Sequence, residues 1–161
     1  VVVHGHWTVA VIREGEVVER REFENALMPG GETHLTGLLV RSRTPGPWLV
    51  IVEGDGTGPL CADNEFSSGG DTYCVISEAT AELTVAETAS TTVLLAGSET
   101  VQRDGNLLAV NTFQRWCTGT TAPADCAPTQ APAQVTRKVL DTAIPVQNGD
   151  RIEVTVELSF S

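Results

Sequence analysis

Histidines, cysteines and a surplus of acids are the side chains here that could do chemistry, and their spacing decides which chemistry is open to them. His4-Gly5-His6 offers two imidazoles on one face of an extended segment, because alternate residues of a strand point the same way. The plainer expectation for this pair is a frayed N-terminus with two surface histidines. A nucleophile needs a base within reach and a further group to orient that base, and neither these two nor His34 lies in a recognisable Ser or Cys catalytic signature. The run Glu53-Gly54-Asp55-Gly56-Thr57-Gly58 sets an acid in a glycine-rich turn, yet it lacks the regular carboxylate spacing and closing Glu of an EF-hand loop. A turn after a strand accounts for it, with Gly supplying positive φ and Asp bonding its own backbone. No Lys-Ser/Thr follows these glycines, so they make no phosphate cradle. Acidic pairs such as Glu14/Glu16 and Glu153/Glu157 have strand spacing and read as solvated faces before they read as a glycosidase pair. The expectation is a chain with no catalytic residues, no metal and no cofactor.

The four cysteines fall into two local pairs. Cys61 and Cys74 flank a Gly/Ser-rich segment, Cys117 and Cys126 a Thr/Ala/Pro segment, so each pair could close one loop. Four cysteines allow three connectivities, and spacing does not choose among them. A structural zinc site would need C-x-x-C knuckles, which are absent. Local disulfides are the preferred reading, and they imply an oxidising compartment such as the outside of a cell or a virion surface.

Charge and composition narrow the partners. Acids outnumber Lys and Arg by 21 to 10 for a net −11, so a phosphate backbone would meet mostly repulsion and direct nucleic-acid binding is disfavoured. Lys138 is the lone lysine, and the arginines suit fixed, planar pairing with carboxylates. No apolar run approaches the roughly 20 residues of a membrane-spanning helix. The chain begins without Met, and targeting cannot be read from it. At 161 residues it is long enough for one domain with a core of its own.

Strands must position whatever site exists. Ile152, Val154, Val156, Leu158 and Phe160 alternate with polar residues as in a half-buried strand. The turn Gln147-Asn148-Gly149-Asp150 suggests that Val139–Val146 is its hairpin partner, with Pro145 on an edge or beside a bulge. A second hairpin joins Trp7–Ile12 to Val17–Phe23 through Arg13-Glu14-Gly15-Glu16. Further strands are expected at Trp48–Val52, Tyr73–Ser77, Glu82–Glu87, Thr91–Gly97 and Leu107–Phe113. Glu32–Arg41 breaks the pattern with Leu35, Leu38 and Leu39 at helical spacing, although Gly37 weakens that helix. Many short strands and one short helix predict an all-β fold, an antiparallel β-sandwich of jelly-roll or Ig-like type. It forms one domain over residues 1–161, with an N-terminal arm at about 1–7 and long surface loops at 54–70 and 118–132. Trp7 and Trp48 sit inside strand patterns and read as core; Trp116, beside Cys117, reads as core or rim.

The order of these elements resembles that of small virion structural proteins of tailed bacteriophages. The residues that carry the resemblance are Phe23-Glu24-Asn25-Ala26-Leu27, Gly30-Gly31 before Leu35–Leu39, Leu49–Val52 before Gly54-Asp55-Gly56, and Asn64-Glu65. Val135-Thr136-Arg137, the Gly149-Asp150 turn and the closing strand Ile152–Ser161 complete it. The two cysteine pairs and the Thr121–Pro132 insertion are additions to that pattern. The resemblance implies a non-enzymatic subunit that decorates or cements a phage head, with a tail, baseplate or fibre part as the alternative. Its partners would be the major capsid protein or tail proteins of the same virion, together with further copies of itself. Its place would be the particle surface, extracellular once assembled. Assembly contacts are expected in the arm, at Val1, Val2, Val3 and Trp7, and at Trp116, because uncovered apolar residues gain most from burial. A different class, a secreted glycan-binding module using Trp116, Asp55 and Asp125, is the competing expectation.

Overall fold

Period-two alternation of apolar and polar residues sets the architecture. The computed structural model describes residues 3–55, 58–61, 73–78, 84–85, 92–119, 121–122, 125–126 and 132–160. In chain order the elements are β1 (Val3–Arg13), β2 (Glu16–Ala26), α1 (Pro29–Leu39), β3 (Arg43–Gly54), β4 (Tyr73–Glu78) and β5 (Thr84–Val85). They continue with β6 (Thr92–Thr100), β7 (Gly105–Thr118), β8 (Ala133–Val146) and β9 (Arg151–Phe160). All pairings are antiparallel and make two sheets, ordered β2-β1-β9-β6-β5 and β4-β3-β7-β8. The chain is an all-β sandwich with one short helix. Trp7, Val9 and Val11 of the first sheet and Trp48, Val50 and Val52 of the second belong to one buried core cluster between the layers. Leu49, Ile51, Tyr73 and Phe113 form a second buried cluster; Leu49 and Ile51 alternate with the core residues of β3 and so point to its other face. Both expected disulfides are present, Cys61 to Cys74 and Cys117 to Cys126. They are compatible with an oxidising or extracellular location. No helix among the described residues is long and apolar enough to cross a membrane.

The hairpin of β1 and β2 turns on Glu14 and Gly15, both at positive φ (53° and 86°), the geometry that matches strand twist across a two-residue loop. Three expectations are corrected. The N-terminal arm does not exist from Val3 onward: β1 lies between β2 and β9, and Trp7 is fully buried, stacked on Phe23. Hydrogen bonding on both sides of β1 holds His4 and His6 in the sheet instead of leaving them frayed. Val3 and Trp7 therefore belong to the core and offer no assembly contact, while Val1 and Val2 lie outside the described residues.

The second correction concerns the Asn148-Gly149 turn. It joins no hairpin, because β8 pairs with β7 in one sheet and β9 with β1 and β6 in the other. Only Gly149 has positive φ (91°), so the turn lacks the two positive-φ residues that keep a hairpin's strands together. It makes a corner between the sheets, held where Gly149 N–H donates to Val101 O and Asn148 N–H to an Asp104 carboxylate oxygen. Arg13 closes this corner on the β1 hairpin with a bidentate pair to Asp150, which is 1 % exposed. β8 is the sheet's outer strand, which accommodates Pro145.

The third correction concerns the helix. It runs Pro29–Leu39, and its buried residues are Gly31, His34 and Gly37; Leu39 is 80 % exposed. Close approach explains the choice. A Cβ on Gly31 would lie 2.5 Å from Val135 O, and one on Gly37 would lie 2.8 Å from the Arg43 side chain. Leu35 and Leu38 are half-buried and only Leu39 lies in solvent, so the leucine spacing marks part of the packed face but not its centre, which the two glycines and His34 form. The helix ends where Ser42 N–H bonds Gly37 O and Arg41 N–H bonds Leu38 O, a Schellman motif with Arg41 in the left-handed region at φ 58°. Of the expected strand Glu82–Glu87 only Thr84–Val85 is described, and the loops at 54–70 and 118–132, with Asn64-Glu65, lie largely outside the described residues.

Candidate functional site

Helix α1 docks where the second sheet begins. Leu27 bridges Thr136, Met28 N–H donates to Val135 O, and Pro29 then opens the helix, so β8 sets the helix's position before its first turn. This brings His34 against residues from the opening of β3 and the end of β7. His34 is fully buried; its Nε2 lies 2.8 Å from Gln114 Oε1 and its Nδ1 3.0 Å from an Arg43 terminal nitrogen. Arginine can only donate, so Nδ1 accepts and the ring proton sits on Nε2, which donates to Gln114. The Gln114 amide donates in turn to Gly46 O at 3.4 Å. Burial, with the Arg43 charge acting the same way, pushes the His34 pKa down against the opposing hydrogen bond to Gln114, so the ring is neutral.

This neutral relay orients a cation. The Arg43 guanidinium lies 4.2 Å from the centroid of the Trp116 ring, within cation–π range. Together the two residues wall a cleft of about 390 Å³ whose other lining residues are Met28, Gly30, Thr33, Ala133 and Gln134. Five other arginines hold a carboxylate: Arg13 with Asp150, Arg20 with Glu22, Arg21 with Glu19, Arg137 with Glu53 and Arg151 with Glu153. Arg43 has none among the described residues.

A second polar network lies beside it on the same sheet. Glu53 accepts from Arg137 through both oxygens and from Asn111 at 3.0 Å, and Gln134 Nε2 donates to Asn111 Oδ1 at 2.8 Å. The hydrogen bond from Arg137 holds the Glu53 carboxyl below its ordinary pKa. Gln134 therefore has one of its two amide N–H donors committed, and it lines the cleft with a carbonyl oxygen and a second N–H still available.

The residues singled out in the sequence scatter. Trp116 is half-buried under Arg43, at the cleft wall. Asp55 cannot share its site: Trp116 pairs with Pro45 near the start of β3, whereas Asp55 follows the end of that strand, ten residues and roughly 33 Å on. Both Asp55 carboxylate oxygens accept from Asn106, at 2.7 and 2.6 Å, which is the work of a turn residue. Asp125 is exposed next to Cys126, tied through its disulfide to Cys117, and does not line the cleft. His6 contacts Glu24 at 2.8 Å on the exposed face of β1. No group of three or more metal-ligating side chains occurs among the described residues. Arg43, His34, Gln114 and Gln134 were missed by the sequence reading; the only signal was an arginine among many and a histidine at helical spacing from two glycines. No family model, curated protein or solved structure matches this chain.

Proposed function

We propose that the chain is a non-enzymatic structural subunit of a phage virion, a decoration or cement protein that binds the head surface. The observation that carries the reading is a disulfide-closed sandwich with a long edge strand, β2. β2 is eleven residues long, among the described residues pairs in its sheet only with β1, and so presents along its outer side a row of backbone N–H and C=O groups with no partner strand among them. Near its tip Val17 and Val18 are 58 % and 46 % exposed. An attachment protein works through such surfaces, and in a symmetric array many copies of one modest contact give avidity. This edge replaces the N-terminal arm as the surface through which a neighbouring virion protein would be met. The charges along β2 restrain indiscriminate pairing: Arg20 with Glu22 and Arg21 with Glu19 form ion pairs along the strand itself.

Mass spectrometry of purified particles from the native source tests this directly. Hundreds of copies per particle are expected for a head protein, and a small multiple of three or six would move the subunit to the tail. Absence from particles, with a monomeric chain in solution, would overturn the virion reading and leave the secreted binding module as the alternative.

A further inference from the structure

We infer that the cleft lined by Arg43 and Trp116 binds an acidic saccharide, a sugar ring that carries a carboxylate. The site goes beyond the virion reading and does not depend on it, since every residue it uses belongs to the single chain.

A guanidinium has five N–H donors; Arg43 gives one to His34 Nδ1, and the others have no protein acceptor among the described residues. In a chain of net charge −11, a buried-edge guanidinium that faces a cleft with no carboxylate against it among the described residues has donors left for an anion. The fork is also pre-organised. His34 and Gln114, both buried, hold one edge of it, and the Trp116 ring supports its plane, so little side-chain entropy remains to be lost on binding. Planar, bidentate recognition of a carboxylate is what such a fork does best.

The rest of the lining selects what carries the carboxylate. Thr33 Oγ1 already donates its one proton to Pro29 O, and Gln134 gives one of its two amide protons to Asn111 Oδ1, so both residues keep an acceptor oxygen and Gln134 one further donor. Acceptors suit a ligand rich in hydroxyl donors, and the Trp116 indole with Met28 and Ala133 suits the apolar C–H face of a sugar ring. A peptide ending in a free carboxylate offers one N–H per residue and matches this set less well. At about 390 Å³ the cleft sits near the small end of ligand sites, as a single ring requires.

The test uses the full chain with its disulfides intact. Trp7 and Trp48 are 0 % and 7 % exposed, so ligand-dependent change in tryptophan fluorescence reports on Trp116. Glucuronic acid and N-acetylneuraminic acid are titrated beside glucose, acetate and tri-alanine, with calorimetry as the second readout. Saturable binding of at least one acidic sugar is expected, about tenfold or more tighter than glucose and than acetate, a difference of about 1.4 kcal/mol. Arg43→Gln should weaken it about tenfold or more. Because that variant also breaks the bond to His34, Thr33→Glu, at an exposed helix position, is the independent check; its added acid should weaken acidic sugars about tenfold more than it weakens glucose. No saturation by either acidic sugar, equal binding of glucose or acetate, tighter binding of tri-alanine, or wild-type affinity in both variants would overturn the inference.

Discussion

The two disulfides close loops of similar length in different surroundings, so removing each in turn separates chain entropy from packing. Their sequence separations are 13 and 9 residues. Loop-closure entropy alone assigns them about 2.9 and about 2.6 kcal/mol, nearly the same. Burial is what differs. Cys61 and Cys74 are 1 % and 0 % exposed and belong to the core cluster, whereas Cys117 and Cys126 are only half-buried. Cys61→Ala with Cys74→Ala therefore also removes two sulfurs from close-packed surroundings, at about 1 kcal/mol each. The first double variant should lose about 5 kcal/mol and the second about 2.6 kcal/mol. With about 2–4 °C per kcal/mol for a domain of this size, the Tm falls by about 10–20 °C and about 5–10 °C respectively. Scanning calorimetry reads the shifts, and mass mapping after brief mild reduction reads the order of reaction. Cys117–Cys126 should open first, and Cys61–Cys74 only on unfolding. Equal Tm losses, or early reduction of Cys61–Cys74 in the folded chain, would refute the argument that burial separates the two.

Asp150→Ala should destabilise the fold by about 2–3 kcal/mol in denaturant titrations, since it strips the corner of a buried carboxylate; the Arg13 left behind is partly exposed and can turn to water, which keeps the loss below that of a fully buried pair. Acid should unfold the protein in two stages. Burial holds His34 below its ordinary 6.5, so the unfolded chain takes up that proton first and stability begins to fall as pH drops through 6.5; His34→Gln should abolish this stage in a plot of Tm against pH. Arg13 holds Asp150 below 3.8 and Arg137 holds Glu53 below 4.5, so their contributions are fully present above those values and are lost as pH falls through the lower folded ones. Gly31→Ala, a helix-favouring change in isolation, should destabilise by roughly 1–3 kcal/mol because the new Cβ meets Val135 backbone; no loss of Tm would mean that α1 packs less closely than 2.5 Å implies. Arg41→Gly should gain about 0.5–1 kcal/mol by relieving the left-handed backbone at the helix end, and an unchanged or lower midpoint in urea would contradict it.

What the sequence by itself determined is the local part of this protein. Alternation along β9, Glu14-Gly15 between β1 and β2, and the short spans between paired cysteines are all readable because neighbours in the chain supply the relevant forces: side-chain period, allowed φ and loop closure. The sandwich class follows from many such strands. Tertiary structure decided the rest, because it depends on what lies opposite. A turn with Asn148-Gly149 makes a corner because β8 and β9 find partners in different sheets, and a run starting at Val3 becomes an inner strand because β9 closes on it from the far end of the chain. The helix centres its packed face on two glycines and a histidine, with Leu35 and Leu38 only half-buried, because β8 and Arg43 come too close at the glycines for larger side chains. The candidate site is of this second kind throughout. Arg43, His34, Trp116 and Gln134 lie on four different elements, and nothing in the spacing of one announces the others; only the docking of α1 onto the second sheet leaves a cation with an aromatic support, a buried relay and, among the described residues, no acid to hold.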